Sequence, residues 1–76
     1  MKNYLQEVTE IIAEQLALDP CKIKPQQTLT ELGADSLDAV HIIIQLEEAF
    51  DCEVSEKVAE KFTTVASIVW YFENNN

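Results

Sequence analysis

Glycine and proline are scarce in this chain, one and two in 76 residues. Tight hairpins draw on both, so a fold built from hairpins is disfavoured and helices are favoured. Histidine occurs once and cysteine twice, at Cys21 and Cys52. Zinc-type ligand spacing is therefore absent and no metal site is expected. Basic residues are few, 5 against 14 acidic, for a net charge of -9. That balance disfavours nucleic acid, whose phosphates would repel the chain. No early apolar run is long enough for a signal peptide and no segment is long enough to insert across a membrane. The expected compartment is the cytoplasm, with both thiols reduced. Also missing are a Gly-rich phosphate loop, an Asp-x-Asp-x-Asp-Gly calcium loop and a Gly-x-Ser-x-Gly nucleophile elbow.

What remains is a chain with 47% hydrophobic residues, enough for a core. Residues 1–76 are expected to form one domain. A domain this small buries only about 60% of the surface its unfolded chain exposes, so its stability is marginal. The acidic excess adds self-repulsion, and it steers encounter toward partner surfaces rich in Lys and Arg.

Apolar spacing predicts a first helix over residues 3–16. Leu5, Val8, Ile12 and Leu16 recur at helical intervals, Ile11 widens the stripe, and Glu7, Glu10 and Glu14 take the wet side. Asn3 with Gln6 resembles a capping pair. Asp19-Pro20 marks a break. Residues 17–35 show no sustained period, which in a small domain implies a functional or pinned loop. Leu18, Ile23, Leu29 and Leu32 recur along it as anchors. Thr28 or Thr30 starts a short turn, and Gly33 supplies a conformation that other residues resist. A second helix is expected over residues 36–50, with Asp35 as N-cap and Asp38 near the positive end. Residues 51–55 connect to a short third helix capped by Ser55 and running through residue 61. Thr63 or Thr64 caps the last helix, in which Val65, Ile68, Val69 and Phe72 share one face. Trp70 falls off that stripe and is expected to pack edge-on against the first helix. The Asn74-Asn75-Asn76 tail is expected to fray.

The second helix carries two apolar faces. At about 100° per residue, Ala39, Ile42, Ile43, Leu46 and Phe50 fall together as the core stripe. Opposite them fall Leu37, Val40 and Ile44, flanked by Glu47, Glu48 and Asp51. One stripe is enough to fold a bundle. Either the long loop covers the second, or it is a docking strip with an apolar centre and an acidic rim.

That strip begins at Ser36, in Gly33-Ala34-Asp35-Ser36-Leu37-Asp38. A serine at a helix N-terminus is exposed, and a phosphate attached to it sits at the positive end of the helix dipole. A nucleophilic serine needs a base within hydrogen-bond reach. His41 lies about 140° around the helix and about 7.5 Å along it, so it cannot serve Ser36. Glu47 and Glu48 face outward as a solvated rim rather than an acid–base pair. No catalytic residue is expected; the pattern suggests a serine that is modified and carried.

These residues resemble the modification motif of acyl carrier proteins, in particular the free-standing type of dissociated (type II) fatty acid synthesis. The likeness runs through Leu29-Thr30-Glu31-Leu32, Leu46-Glu47-Glu48-Ala49-Phe50-Asp51 and Ala59-Glu60-Lys61-Phe62-Thr63-Thr64-Val65. It covers nearly the whole chain. The resemblance implies an all-α four-helix bundle, three main helices and one short one with a long loop after the first. It implies a monomeric carrier rather than an enzyme. Its Ser36 would receive 4'-phosphopantetheine from coenzyme A through a separate phosphopantetheinyl transferase. Acyl chains would ride on the arm's thiol. It further implies that Asp35, Leu37, Asp38, Val40, Ile44, Glu47 and Glu48, with His41 beside them on the same helix, meet fatty acid synthesis enzymes through basic docking patches. Ile42, Leu46 and Ile68 are candidate walls for a chain drawn back into the bundle.

The chain departs from the family pattern in places. His41 stands where Glu is common, making the helix less acidic; a solvated surface histidine is the plainer reading, a pH-sensitive one the sharper. Val54-Ser55-Glu56 replaces Ile-Pro-Asp, and Cys52 sits where Thr is frequent. The Gly-Ala-Asp-Ser-Leu form favours fatty acid synthesis over polyketide, modified-lipid, peptidyl or D-alanyl carriers. An unmodified acidic helical protein that binds a basic partner is the alternative from another class.

Overall fold

The computed structural model describes residues 3–75. Its order is α1 (Tyr4–Leu16), a 3-10 turn (Pro20–Lys22), α2 (Ser36–Phe50), the four-residue α3 (Glu56–Ala59) and α4 (Val65–Asn75). Among the described residues there is no strand, only an isolated bridge between Thr28 and Thr64. The all-α bundle with one short helix is as the sequence predicts.

Each helix begins where a side chain can satisfy its first backbone donors. Asn3 Oδ1 accepts from the Gln6 N–H at 3.0 Å. The pair is not reciprocal, because the Gln6 amide turns outward to Glu10 Oε1. Ser55 Oγ accepts from the Val58 N–H at 3.3 Å. Thr64, not Thr63, caps α4: its Oγ1 accepts from the Ser67 N–H and its own N–H donates to Ser67 Oγ, both at 3.1 Å. α3 stops short of residue 61. Beyond Ala59 the bonds tighten to a three-residue spacing, Lys61 N–H to Val58 O and Phe62 N–H to Ala59 O, which turns Phe62 into the core.

α1 packs against both α2 and α4. Val8, Ile12 and Ala13 meet Ile42, Leu46 and Phe50 from α2 and Val65, Ile68, Val69 and Phe72 from α4 in one buried cluster. Aromatic rings close one region of it: Tyr4, Phe50 and Phe72 stand in sequence at centroid distances of 5.2 and 4.7 Å. Leu5, expected in the core, is 42% exposed. Ala13, outside the expected stripe, is buried instead.

The long loop is pinned in two ways. Ile23 and Leu29 are buried and Leu32 is half-buried, whereas Leu18 is exposed and anchors nothing. The loop also serves α4: the Val65 N–H donates to Gln27 O at 3.0 Å and the Ala66 N–H to Pro25 O at 2.8 Å. Loop carbonyls thus satisfy donors that a helix N-terminus leaves orphaned. Thr28 starts a compact turn, its Oγ1 accepting from the Glu31 N–H while its N–H donates to Glu31 Oε1. Gly33 then takes φ +96°, as expected of it.

One expectation about the C-terminal end fails, that for Trp70. α4 continues through Asn75, with Asn74 Nδ2 donating to Trp70 O at 2.8 Å; Asn76 lies outside the described residues. Trp70 does not pack on α1. With Val65, Ile68, Val69 and Phe72 turned inward, it falls on the opposite side of the helix and is 64% exposed.

Candidate functional site

Ser36 is the first residue of α2 and is exposed. A reciprocal capping box fixes the helix start around it: Asp35 Oδ1 accepts from the Asp38 N–H at 2.9 Å, and Asp38 Oδ2 accepts from the Asp35 N–H at 3.3 Å. The box occupies the N–H of the third helical residue. Those of Ser36 and Leu37 have no intrahelical acceptor by helix geometry. They supply the positive end of the helix to an anionic group on the Ser36 oxygen. Gly33 makes the approach possible. Its positive φ turns the chain out of the Thr28 turn, with the Gly33 N–H on Thr30 O and the Ala34 N–H on Leu29 O.

Beside Ser36 opens a cleft of about 440 Å³, lined by residues of the loop, the start of α2 and Phe62 and Thr63. Leu29, Ala34, Ala39 and Phe62 give it an apolar floor. Ile42, Leu46 and Ile68, the expected walls, are instead fully buried among themselves and α1, and none of them lines this cleft.

The second apolar face of α2 is open. Leu37 is 63%, Val40 51% and Ile44 44% exposed. The loop does not cover them, because its backbone is committed to the start of α4. Val40, Ile43 and Ile44 continue across a groove of about 250 Å³ to Val54 and Ala59, with Glu47 and Glu56 at its sides. Further along, Glu47, Glu48, Asp51 and Glu53 gather around Ile44. Glu48 is exposed, as expected. Glu47 is not merely a solvated rim: it is half-buried and its Oε2 accepts from the Val54 N–H at 2.8 Å. It therefore ties the connector to α2 as well as lending charge to the face.

Asp38 and His41 occupy the edge of α2 nearest α1. Gln15 Nε2 lies 3.4 Å from Asp38 Oδ1 and 3.5 Å from His41 Nδ1, and Gln15 Oε1 accepts from Gln45 Nε2 at 2.9 Å. Sequence periodicity did not single out Gln15, since a polar residue beside an apolar stripe carries no signal until the facing helix is placed. His41 is thus directed to α1 and not to Ser36, and the Ser36 hydroxyl makes no hydrogen bond among the described residues. The arrangement can present a hydroxyl to an external catalyst; it does not activate one. Cys21 is exposed and Cys52 half-buried, and both are free thiols.

The helical bundle presents an exposed serine at the head of an open, acid-flanked helix. The phosphopantetheine attachment site family matches residues 6–72, and the chain belongs to that family. It is similar in structure to an acyl carrier protein from Enterococcus faecalis. The TM-score is 0.81 and the sequence identity 31%, over 96% of this chain and 94% of that one. It also shares its fold with a free-standing peptidyl carrier protein from Acinetobacter baumannii, at TM-score 0.82 and 21% identity over 93% of this chain and 89% of that one. The family's cofactor is 4'-phosphopantetheine, and its members are armed by a phosphopantetheinyl transferase to carry acyl chains.

Proposed function

We propose that this chain carries acyl intermediates of fatty acid synthesis as thioesters on 4'-phosphopantetheine joined to Ser36. The observation that carries the reading is Ser36 itself, exposed at the first position of a doubly capped helix with its hydroxyl uncommitted. In arming, the Ser36 oxygen bonds to the phosphorus that bears pantetheine in coenzyme A. The pyrophosphate linkage breaks and adenosine 3',5'-bisphosphate leaves with its electron pair. The transferase supplies the base, since His41 is turned to α1. The Ser36 and Leu37 N–H groups favour the resulting phosphodiester by up to about 1 kcal/mol, while Asp35 and Asp38 repel it. The arm therefore projects outward, with the cleft floored by Ala39 and Phe62 as the first apolar surface a bound chain meets.

Partner enzymes dock on α2 through Leu37, Val40 and Ile44, steered by Glu47, Glu48 and the carboxylates of Asp35 and Asp38. His41 lies at the margin of that surface. In this reading the carrier domain works as a monomer in the cytoplasm. Support for fatty acid cargo comes from the Gly-Ala-Asp-Ser-Leu motif and from the 31% identity to an acyl carrier protein. The test is loading. The armed protein is offered malonyl-coenzyme A with a malonyl transferase of dissociated fatty acid synthesis and, separately, amino acids with an adenylating enzyme. A malonyl thioester that is then elongated supports the reading; aminoacyl loading without malonyl loading contradicts it.

A further inference from the structure

Away from α2, the short α3, the turn after it and α4 enclose an open cleft of about 440 Å³ walled by Val58, Lys61, Phe62, Ser67, Trp70 and Tyr71. No residue of α2 takes part. The floor is aromatic: Tyr71 meets Phe62 edge-on at 5.5 Å and Phe72 edge-on at 5.2 Å, and Phe72 is fully buried. On one side stands Trp70, 64% exposed. Tryptophan is among the residue types that dominate binding hot spots, and a rigid aromatic wall costs little entropy to bury.

The charge of the walls separates this cleft from the α2 face. Among the described residues Lys61 is the only charged one lining it, in a chain with 14 acidic residues. The clefts along α2 are lined instead by Glu47, Glu48, Asp51 and Glu53 and by Glu47 and Glu56. A basic surface drawn to α2 meets an ammonium here and is rejected. A lone ammonium beside an apolar floor complements an apolar side chain with a carboxylate next to it. The chain's net charge of -9 opposes such an anion at a distance. At physiological ionic strength that field is screened within about 8 Å, so contact is decided by Lys61.

We propose that the Trp70–Lys61 cleft is a second docking face, of opposite charge preference to α2, for a partner protein segment that presents an apolar anchor beside a carboxylate. It does not depend on Ser36, so the carrier can be held here while α2 and its arm engage another surface.

Trp70 is the chain's sole tryptophan, so its emission reads this cleft alone. Three short synthetic peptides with the same leucine anchor, flanked by Glu, Gln or Lys, are titrated into wild type and into Ser36→Ala at physiological ionic strength. Backbone amide shifts are followed in parallel. The Glu peptide is expected to blue-shift Trp70 emission, to move the amides of Val58, Phe62 and Ser67 in both proteins, and to bind about fivefold more tightly than the Lys peptide, the upper range for a partly exposed ion pair. Lys61→Glu reverses that order, and Trp70→Ala abolishes the amide shifts. Equal responses to the Glu and Lys peptides, no response to either, or an order unchanged in Lys61→Glu would overturn the proposal. So would an emission shift on concentrating the protein without peptide, because a second copy would then be the occupant.

Discussion

Among the described residues, two other than glycine sit in the left-handed region, Ala17 at φ 56° and Asp51 at φ 50°, each ending a helix. Aspartate tolerates this conformation through its short polar side chain; alanine gains nothing to offset it. The Ala17 N–H and Leu18 N–H both close on Ala13 O, so the geometry is dictated by the helix end and not by the residue. Ala17→Gly relieves about 1–2 kcal/mol of strain and gives back roughly half as backbone entropy. Thermal melting should rise by a few degrees; a fall would show that the turn is held by something other than the helix terminus. At the other end of the loop, Asp35→Ala removes one half of the capping box and should cost about 1 kcal/mol. A double-mutant cycle with Asp38→Ala should be non-additive, because the two bonds, Asp38 N–H to Asp35 Oδ1 and Asp35 N–H to Asp38 Oδ2, close the same turn.

The second helix was legible almost to the residue, and the reasons are local. Asp35 begins it, Asp38 completes the box, and the core stripe of Ile42, Leu46 and Phe50 is buried as spaced. The open face of Leu37, Val40 and Ile44 was legible as a surplus of apolar surface, though only the structure shows that the loop leaves it bare. What could not be read depends on which element faces which. Ala13 is core and Leu5 is not because α1 lies between α2 and α4. The carbonyls of Pro25 and Gln27 hold α4, a contact no side-chain pattern encodes. The expected packing of Trp70 on α1 fails because its own helix turns it away. Two substitutions on α2 separate docking from architecture. Leu37→Asp places a charge in the exposed strip, where that side chain is its most exposed member, and should weaken partner binding about tenfold with melting nearly unchanged. Glu47→Ala should also lower stability by about 1 kcal/mol, since the Val54 N–H loses its acceptor. Equal melting temperatures for the two variants would show that the Glu47–Val54 bond contributes nothing.

For the whole molecule, the net charge of -9 on 76 residues sets the balance between docking and stability. Repulsion among carboxylates opposes compaction, while the same field draws in basic surfaces. Raising ionic strength from low to physiological shortens the screening length from about 30 to about 8 Å. It should raise the melting temperature while weakening docking on α2; a melting temperature independent of salt would remove self-repulsion from the account. The core leaves little margin, because a domain this small buries only about 60% of its unfolded surface. Helix capping and backbone pins around Ser36 therefore carry more of the fold than they would in a larger protein, and they leave the serine itself free of structural duty. The measurement that tests this most directly is the intact mass after incubation with coenzyme A, magnesium and a broad-specificity phosphopantetheinyl transferase, with Ser36→Ala alongside. A gain of a single phosphopantetheine by wild type and none by a normally folded Ser36→Ala is the predicted result. No gain by wild type, with the transferase active on a known carrier, or an equal gain by both proteins, would contradict the assignment of Ser36 as the point of attachment.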